Sequence, residues 1–157
     1  MMKPISVWKQ ELSGGAHAAR LAALYCCAPE QTPAQAARYE AVLDGLEATF
    51  GPHAEAGLYS APGRTEIGGN HTDHHGRVLA GSVNIDMIAA AGPNTLGQLR
   101  VQSEGYDLCV IDLNDLAARK EEENTSAAIL RGECEAFRQR GAKLSGLDVY
   151  ISSNVPK

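Results

Sequence analysis

Between Ala61 and Gly81 the chain reads APGRTEIGGNHTDHHGRVLAG, which gathers Arg64, Glu66, Asn70, His71, Asp73, His74 and His75 into one short stretch. Three chemistries can use such a set. His71, Asp73, His74 and His75 are each able to hold zinc or iron. Adjacent His74 and His75, however, point to different sides in any regular structure, and no distant Cys or His cluster completes a metal site. Gly63, Gly68 and Gly69 suggest a phosphate loop, but their order matches neither GxxxxGK[ST] nor GxGxxG. LSGG at Leu12–Gly15 has the letters of a transporter ATPase signature without the phosphate loop such ATPases carry.

A polyol site uses more of these residues together. Asp73 supplies acceptors, Asn70 offers both an acceptor and donors, and His71 offers either according to its tautomer, so the three can fork onto neighbouring hydroxyls. Arg64, permanently charged, suits a carboxylate or a transferring phosphoryl group. The plain structural alternative stays open: the glycines make a turn, and Arg64 pairs with Glu66 or Asp73.

Both helices and strands must position that stretch. In QTPAQAARYEAVLDGLEATFG, Thr32 is placed to cap, Pro33 suits the first helical position, and Gln35 completes a capping box. Tyr39, Val42, Leu43, Leu46 and Phe50 then repeat at helical spacing until Gly51 and Pro52 end the helix. An alanine-rich segment from about Gly15 to Tyr25 reads as a further helix. GLYSAP, NIDMIAAAG, LRVQS and YDLCVIDL read as strands between Gly, Pro and Asn breakers. GPNTLGQ and SEGYD read as turns between consecutive strands, which predicts an antiparallel element there. TSAAILRGECEAFRQRG predicts a helix with Leu130, Cys134 and Phe137 on one face and Gly141 at its end. RKEEEN reads as a solvated loop or helix entry. LDVYISS predicts a last strand in which Leu147, Val149 and Ile151 alternate with polar neighbours.

The 157 residues carry a formal net charge of -5 and 44% hydrophobic content, enough for one domain with a core. That balance argues against a charge-driven grip on nucleic acid or on an anionic membrane. No signal-peptide core and no apolar run of about 20 residues is present, so the expected location is cytoplasmic and the expected partner a small molecule. Cys26, Cys27, Cys109 and Cys134 form no CxxC pattern and read as free thiols.

The stretch APGRTEIGGNHTDHHGRVLAGSVN resembles the sugar-binding signature of the galactokinases, whose usual form is GRVNLIGEHTDYNGG followed by a strand beginning VLP. Gly63, Arg64, Gly69, His71, Thr72 and Asp73 coincide with it in register. ARYEAVLDGLEATFG is similar to the amphipathic helix before that signature, and SEGYD, AAILRGECEAF and GLDVYISSNVPK are similar to later landmarks. The resemblance thus runs from about Ala36 to Lys157.

It implies an α+β fold: the N-terminal domain of the GHMP small-molecule kinases (ribosomal protein S5 domain 2-like), a mixed sheet with helices packed on one face. It further implies a division at about 15–60, the signature region, and 61–157, the start of the kinase domain. In the family, a GxGLSSSA phosphate loop and an aspartate facing the sugar hydroxyl come next. Neither is in these residues, and the expectation is a chain cut before its nucleotide loop, inactive alone and open to self-association. The complete enzyme would use ATP and Mg2+ to phosphorylate galactose or a related sugar at the anomeric hydroxyl. Arg64 would steady the phosphoryl group, while Asn70, His71 and Asp73 orient the sugar. Asn70 stands where galactokinases have glutamate, His74 where they have tyrosine, and Glu66 where they have asparagine. A sugar sensor of the same fold without turnover is the alternative.

Overall fold

The apolar stripe at Tyr39, Val42, Leu43 and Leu46 needs a surface to cover, and a sheet supplies it. The computed structural model describes residues 1–69, 76 and 78–156. In it the stripe lies on helix α3 (Thr32–Phe50), with Val42, Leu43 and Leu46 fully buried. Each such side chain contributes about 1.5–3 kcal/mol through burial. Opposite them are Ile88 and Ala90 on strand β3 (Leu79–Pro93), both fully buried. Gly45 of α3 lets the ring of Tyr150 settle directly on the helix, where a Cβ would collide with it.

The other strands are β1 (Lys3–Pro4), β2 (Glu55–Gly68), β4 (Gln98–Ser103), β5 (Cys109–Asp112) and β6 (Leu147–Ser153). They form one mixed sheet in the order β1-β2-β3-β6-β4-β5. All neighbours run antiparallel except β4 and β6, which are parallel. The α+β reading therefore stands. The antiparallel pair across SEGYD forms between β4 and β5, whereas GPNTLGQ does not close a hairpin. Instead β6 inserts between β3 and β4, and the connection crosses a gap one strand wide. Asn94 ties that crossing to the edge of β6 by donating its backbone N–H to the Gly146 carbonyl at 3.0 Å.

The helix starts differ in detail from the sequence pattern. A 3-10 turn at Pro29–Gln31 leads into α3, the Thr32 hydroxyl donates back to the Pro29 carbonyl at 2.8 Å, and Gln35 accepts from Arg38 at 2.9 Å. The Thr32–Gln35 capping box does not form: the Thr32 N–H is bonded to the Pro29 carbonyl, and the Ala28 N–H donates instead to Gln31 Oε1 at 3.1 Å. The alanine-rich helix is α2 (Ala18–Tyr25). Ile5–Ser13, not anticipated from the sequence, forms helix α1, with Ile5 and Leu12 buried.

Helix α4 (Ser126–Gln139) begins under Thr125, whose hydroxyl accepts from the Ala128 N–H at 3.3 Å. Gly141 follows its end at φ +85°. α4 packs against β5, but the side chain it buries fully is Arg131, and Phe137 is 55% exposed. Glu122 of RKEEEN grips that guanidinium at 2.7 and 2.8 Å, so this stretch is more than a solvated loop.

Candidate functional site

Strands β2 and β3 carry the two ends of the Ala61–Gly81 stretch, up to Gly68 and from Leu79. Arg64 faces Ser82, Thr65 faces Gly81 and Glu66 faces Ala80, with irregularities between Pro62 and Arg64 and between Glu66 and Gly68. The first irregularity coincides with Gly63, where a side chain would press on Val83, the Ile85 carbonyl and Val155. Glycine there lets the segment after β6 approach the signature strand.

Arg64 projects from β2 with 70% of its side chain exposed, and its guanidinium donates to Glu66 at 2.8 Å. Residues two apart on a strand share a face, which makes this pairing local. Asn70, His71 and Asp73, read as sugar-binding, lie outside the described residues, as do His74 and His75. Among the described residues no group of three or more His, Cys, Asp or Glu could hold a metal ion.

The middle of this hairpin is pinned by a carboxylate that the sequence pattern does not single out. Asp86, on β3 opposite Pro62, has a side chain only 3% exposed. Its Oδ2 accepts from the Tyr25 and Ser60 hydroxyls, each at 2.6 Å, and its Oδ1 accepts from Arg38 at 2.8 Å. Burial disfavours the charge, but the bonds from Ser60, Tyr25 and Arg38 outweigh it and hold the carboxyl below its ordinary range. Burial, together with the bonds to Asp86 and Tyr39, raises the Tyr25 phenol well above its ordinary value.

Since Tyr25 donates its proton to Asp86, Tyr39 must donate to Tyr25 across their 2.8 Å contact. The order is Tyr39 to Tyr25 to Asp86. The Arg38 guanidinium also reaches Asn154, whose amide oxygen accepts from it at 3.1 and 3.2 Å. One carboxylate thus ties α2, α3, β2 and β3 together and, through Arg38, the segment after β6. The signal was present in NIDMIAA, where a lone acid interrupts an apolar run and must be paired if the run is buried.

With that geometry in place, likeness to known proteins can be weighed. The galactokinase galactose-binding signature matches residues 46–93, which span the end of α3, all of β2 and all of β3. The chain is 34% identical over 103 residues to the galactokinase of Streptomyces coelicolor, a match covering 64% of this chain and 26% of that one. It is 30% identical over 120 residues to the galactokinase of Ligilactobacillus salivarius, covering 73% of this chain and 30% of that one. The crystal structure of Lactococcus lactis galactokinase complexed with galactose superposes with a TM-score of 0.62 at 21% identity, over 73% of this chain and 30% of that one. Over the superposed part the fold is that of the galactokinase structure. In sequence the chain resembles the N-terminal part of the galactokinases and matches their galactose-binding signature. It spans between about a quarter and a third of the length of the curated relatives it matches.

Proposed function

We propose that this chain is the sugar-binding N-terminal part of a galactokinase-like enzyme that phosphorylates galactose or a related sugar at the anomeric hydroxyl. The observation that carries the reading is the match to the galactose-binding signature over the β2–β3 hairpin, with Asp86 anchoring its middle. Asp73 accepts from sugar hydroxyls, His71 bonds according to its tautomer, and Asn70 both accepts and donates. Arg64 leaves Glu66 and turns its charge toward the transferring phosphoryl group.

These 157 residues contain no GxGLSSSA loop. In the proposed enzyme ATP and Mg2+ are held by residues other than these. Phosphoryl transfer draws mainly on positioning and charge stabilisation, and this part supplies the positioning of the sugar. Alone, the chain is inactive as a kinase. The complete enzyme works in the cytoplasm on a small sugar and has no nucleic-acid or membrane partner.

The test measures galactose binding and ATP-dependent formation of sugar 1-phosphate by the complete open reading frame, beside its Asp73→Ala variant. Turnover with a raised sugar KM in the variant is expected. Saturable sugar binding without turnover would favour a sensor, and an unchanged KM in the Asp73 variant would remove that residue from the pocket.

A further inference from the structure

A hollow of about 520 Å³ opens beside the signature strand, between α1, α2 and the edge of β2 that β1 leaves unpaired beyond Ala56. Its volume falls within the range of small-molecule sites. The walls are apolar and aromatic, formed by Trp8, Leu12, Leu21, Leu24 and Leu58, with the half-exposed Tyr59 at the mouth. Trp8 is fixed in place. Its indole N–H donates to the Ala56 carbonyl at 2.8 Å, the Lys3 ammonium stands 4.6 Å from its ring centroid, and the His17 ring lies tilted 5.5 Å away.

Arg20 also lines the hollow, on the exposed side of α2, and no hydrogen bond or ion pair engages it among the described residues. No carboxylate lines the hollow. Glu11, which reaches His17 at 2.8 Å, is itself held by Lys3 at 2.6 Å. The unpaired Arg20 guanidinium beside apolar walls selects for an anion with an apolar body. Of the three hydroxyls in the lining, Ser60 spends its proton on Asp86 and Tyr39 on Tyr25, which leaves the Tyr59 hydroxyl at the mouth and apolar surface over most of the wall.

We propose that this hollow is a binding site for a small amphipathic monoanion, a carboxylate on an aromatic or branched aliphatic body. The carboxylate meets Arg20, and the body packs on Trp8, Leu21 and Leu24. Of the lining residues only Leu58, Tyr59 and Ser60 fall within the matched residues 46–93, and none is Arg64, Asn70, His71 or Asp73, so the proposal does not depend on the function proposed above.

Trp8 is the chain's single tryptophan, so its emission reports occupancy. The experiment titrates the purified chain with phenylbutyrate, phenylbutanol and phenylbutylamine at neutral pH. A saturable change is expected with the carboxylate, about tenfold tighter than with the alcohol, and weakest with the amine. Arg20→Gln should bring the carboxylate to the level of the alcohol. Arg20→Lys should keep part of the preference, and both variants should leave alcohol binding and Tm unchanged. Equal affinities for the three compounds would overturn the proposal, as would an intact preference in Arg20→Gln. So would no saturable change up to about 10 mM, well above the roughly millimolar Kd expected of so small a ligand.

Discussion

Asp86 and Asp148 lie on the same face of one sheet, each almost wholly buried, yet they are satisfied by different chemistry. Asp86, beside the signature hairpin, takes two hydroxyl protons and a single guanidinium N–H. Asp148, opposite Gly92 near the far end of β3, is 1% exposed and takes a two-pronged grip from Arg100 at 2.6 and 2.6 Å. Asn94 adds a bond at 2.7 Å and His53 one at 3.0 Å. The Arg100 guanidinium in turn stands 4.8 Å from the Phe50 ring centroid. A fork on a carboxylate fixes orientation, while hydroxyls can rotate to other acceptors. The sheet is thus locked at Asp148, and at Asp86, nearer the Arg64 end of β2, it is held by groups able to adjust.

That contrast should be largest when a carboxylate is deleted. Asp148→Ala leaves the Arg100 charge facing an emptied site and should cost about 3–5 kcal/mol, read as a lowered midpoint in denaturant. A loss below about 1 kcal/mol would show that the fork is not what locks this end.

Asp86→Asn keeps the shape but removes the charge that the Tyr25, Ser60 and Arg38 donors address, and should cost about 1.5–3 kcal/mol at neutral pH. Its folded carboxyl lies below the ordinary 3.8. A group lowered on folding contributes stability above its unfolded value and loses it as pH falls through the folded one. The wild-type advantage over Asp86→Asn should therefore be full at neutral pH, begin to shrink near pH 4 and vanish at lower pH. Thermal melts of the two proteins across acid pH check this, and a gap independent of pH would mean that the carboxylate's charge is not the source.

The direction of the hydroxyl relay sets the next effect. Tyr25 donates to a charged group and Tyr39 to a neutral one, so Tyr25→Phe should cost about 1.5–3 kcal/mol and Tyr39→Phe about 0.5–1.5. Equal losses in chemical denaturation would overturn the order Tyr39 to Tyr25 to Asp86.

The two carboxylates also mark where the sequence was readable. α3 was legible because its apolar stripe and Gly51 leave few alternatives, and β6 because Leu147, Val149 and Ile151 alternate cleanly. The same alternation hid the burial of Asp148: its face of the strand packs on α3, and polarity reads as exposure unless the partners Arg100, Asn94 and His53, distant in sequence, are known. The insertion of β6 between β3 and β4 was hidden for a like reason, since a turn sequence says where the chain bends and not which strand fills the gap. α1 carried the needed signal, with Ile5, Trp8 and Leu12 at helical spacing. Arg64 was legible as a candidate, and its pairing with Glu66 was the structural alternative open at the outset.

The smallest effect on stability belongs to Arg64, which lies on β2 beyond the Asp86 anchor. The Arg64–Glu66 pair is local and the Arg64 side chain 70% exposed, so Arg64→Ala should change stability by no more than about 0.5 kcal/mol. In the complete enzyme proposed above, the same change should lower kcat far more than it raises the sugar KM, because the charge matters most as phosphoryl transfer proceeds. The control is Ser60→Ala, which weakens the anchor at Asp86 without removing that charge. It should lower Tm and leave the ratio of kcat to KM effects near unity. If Arg64→Ala instead melts early while kcat holds, the arginine belongs with the anchor.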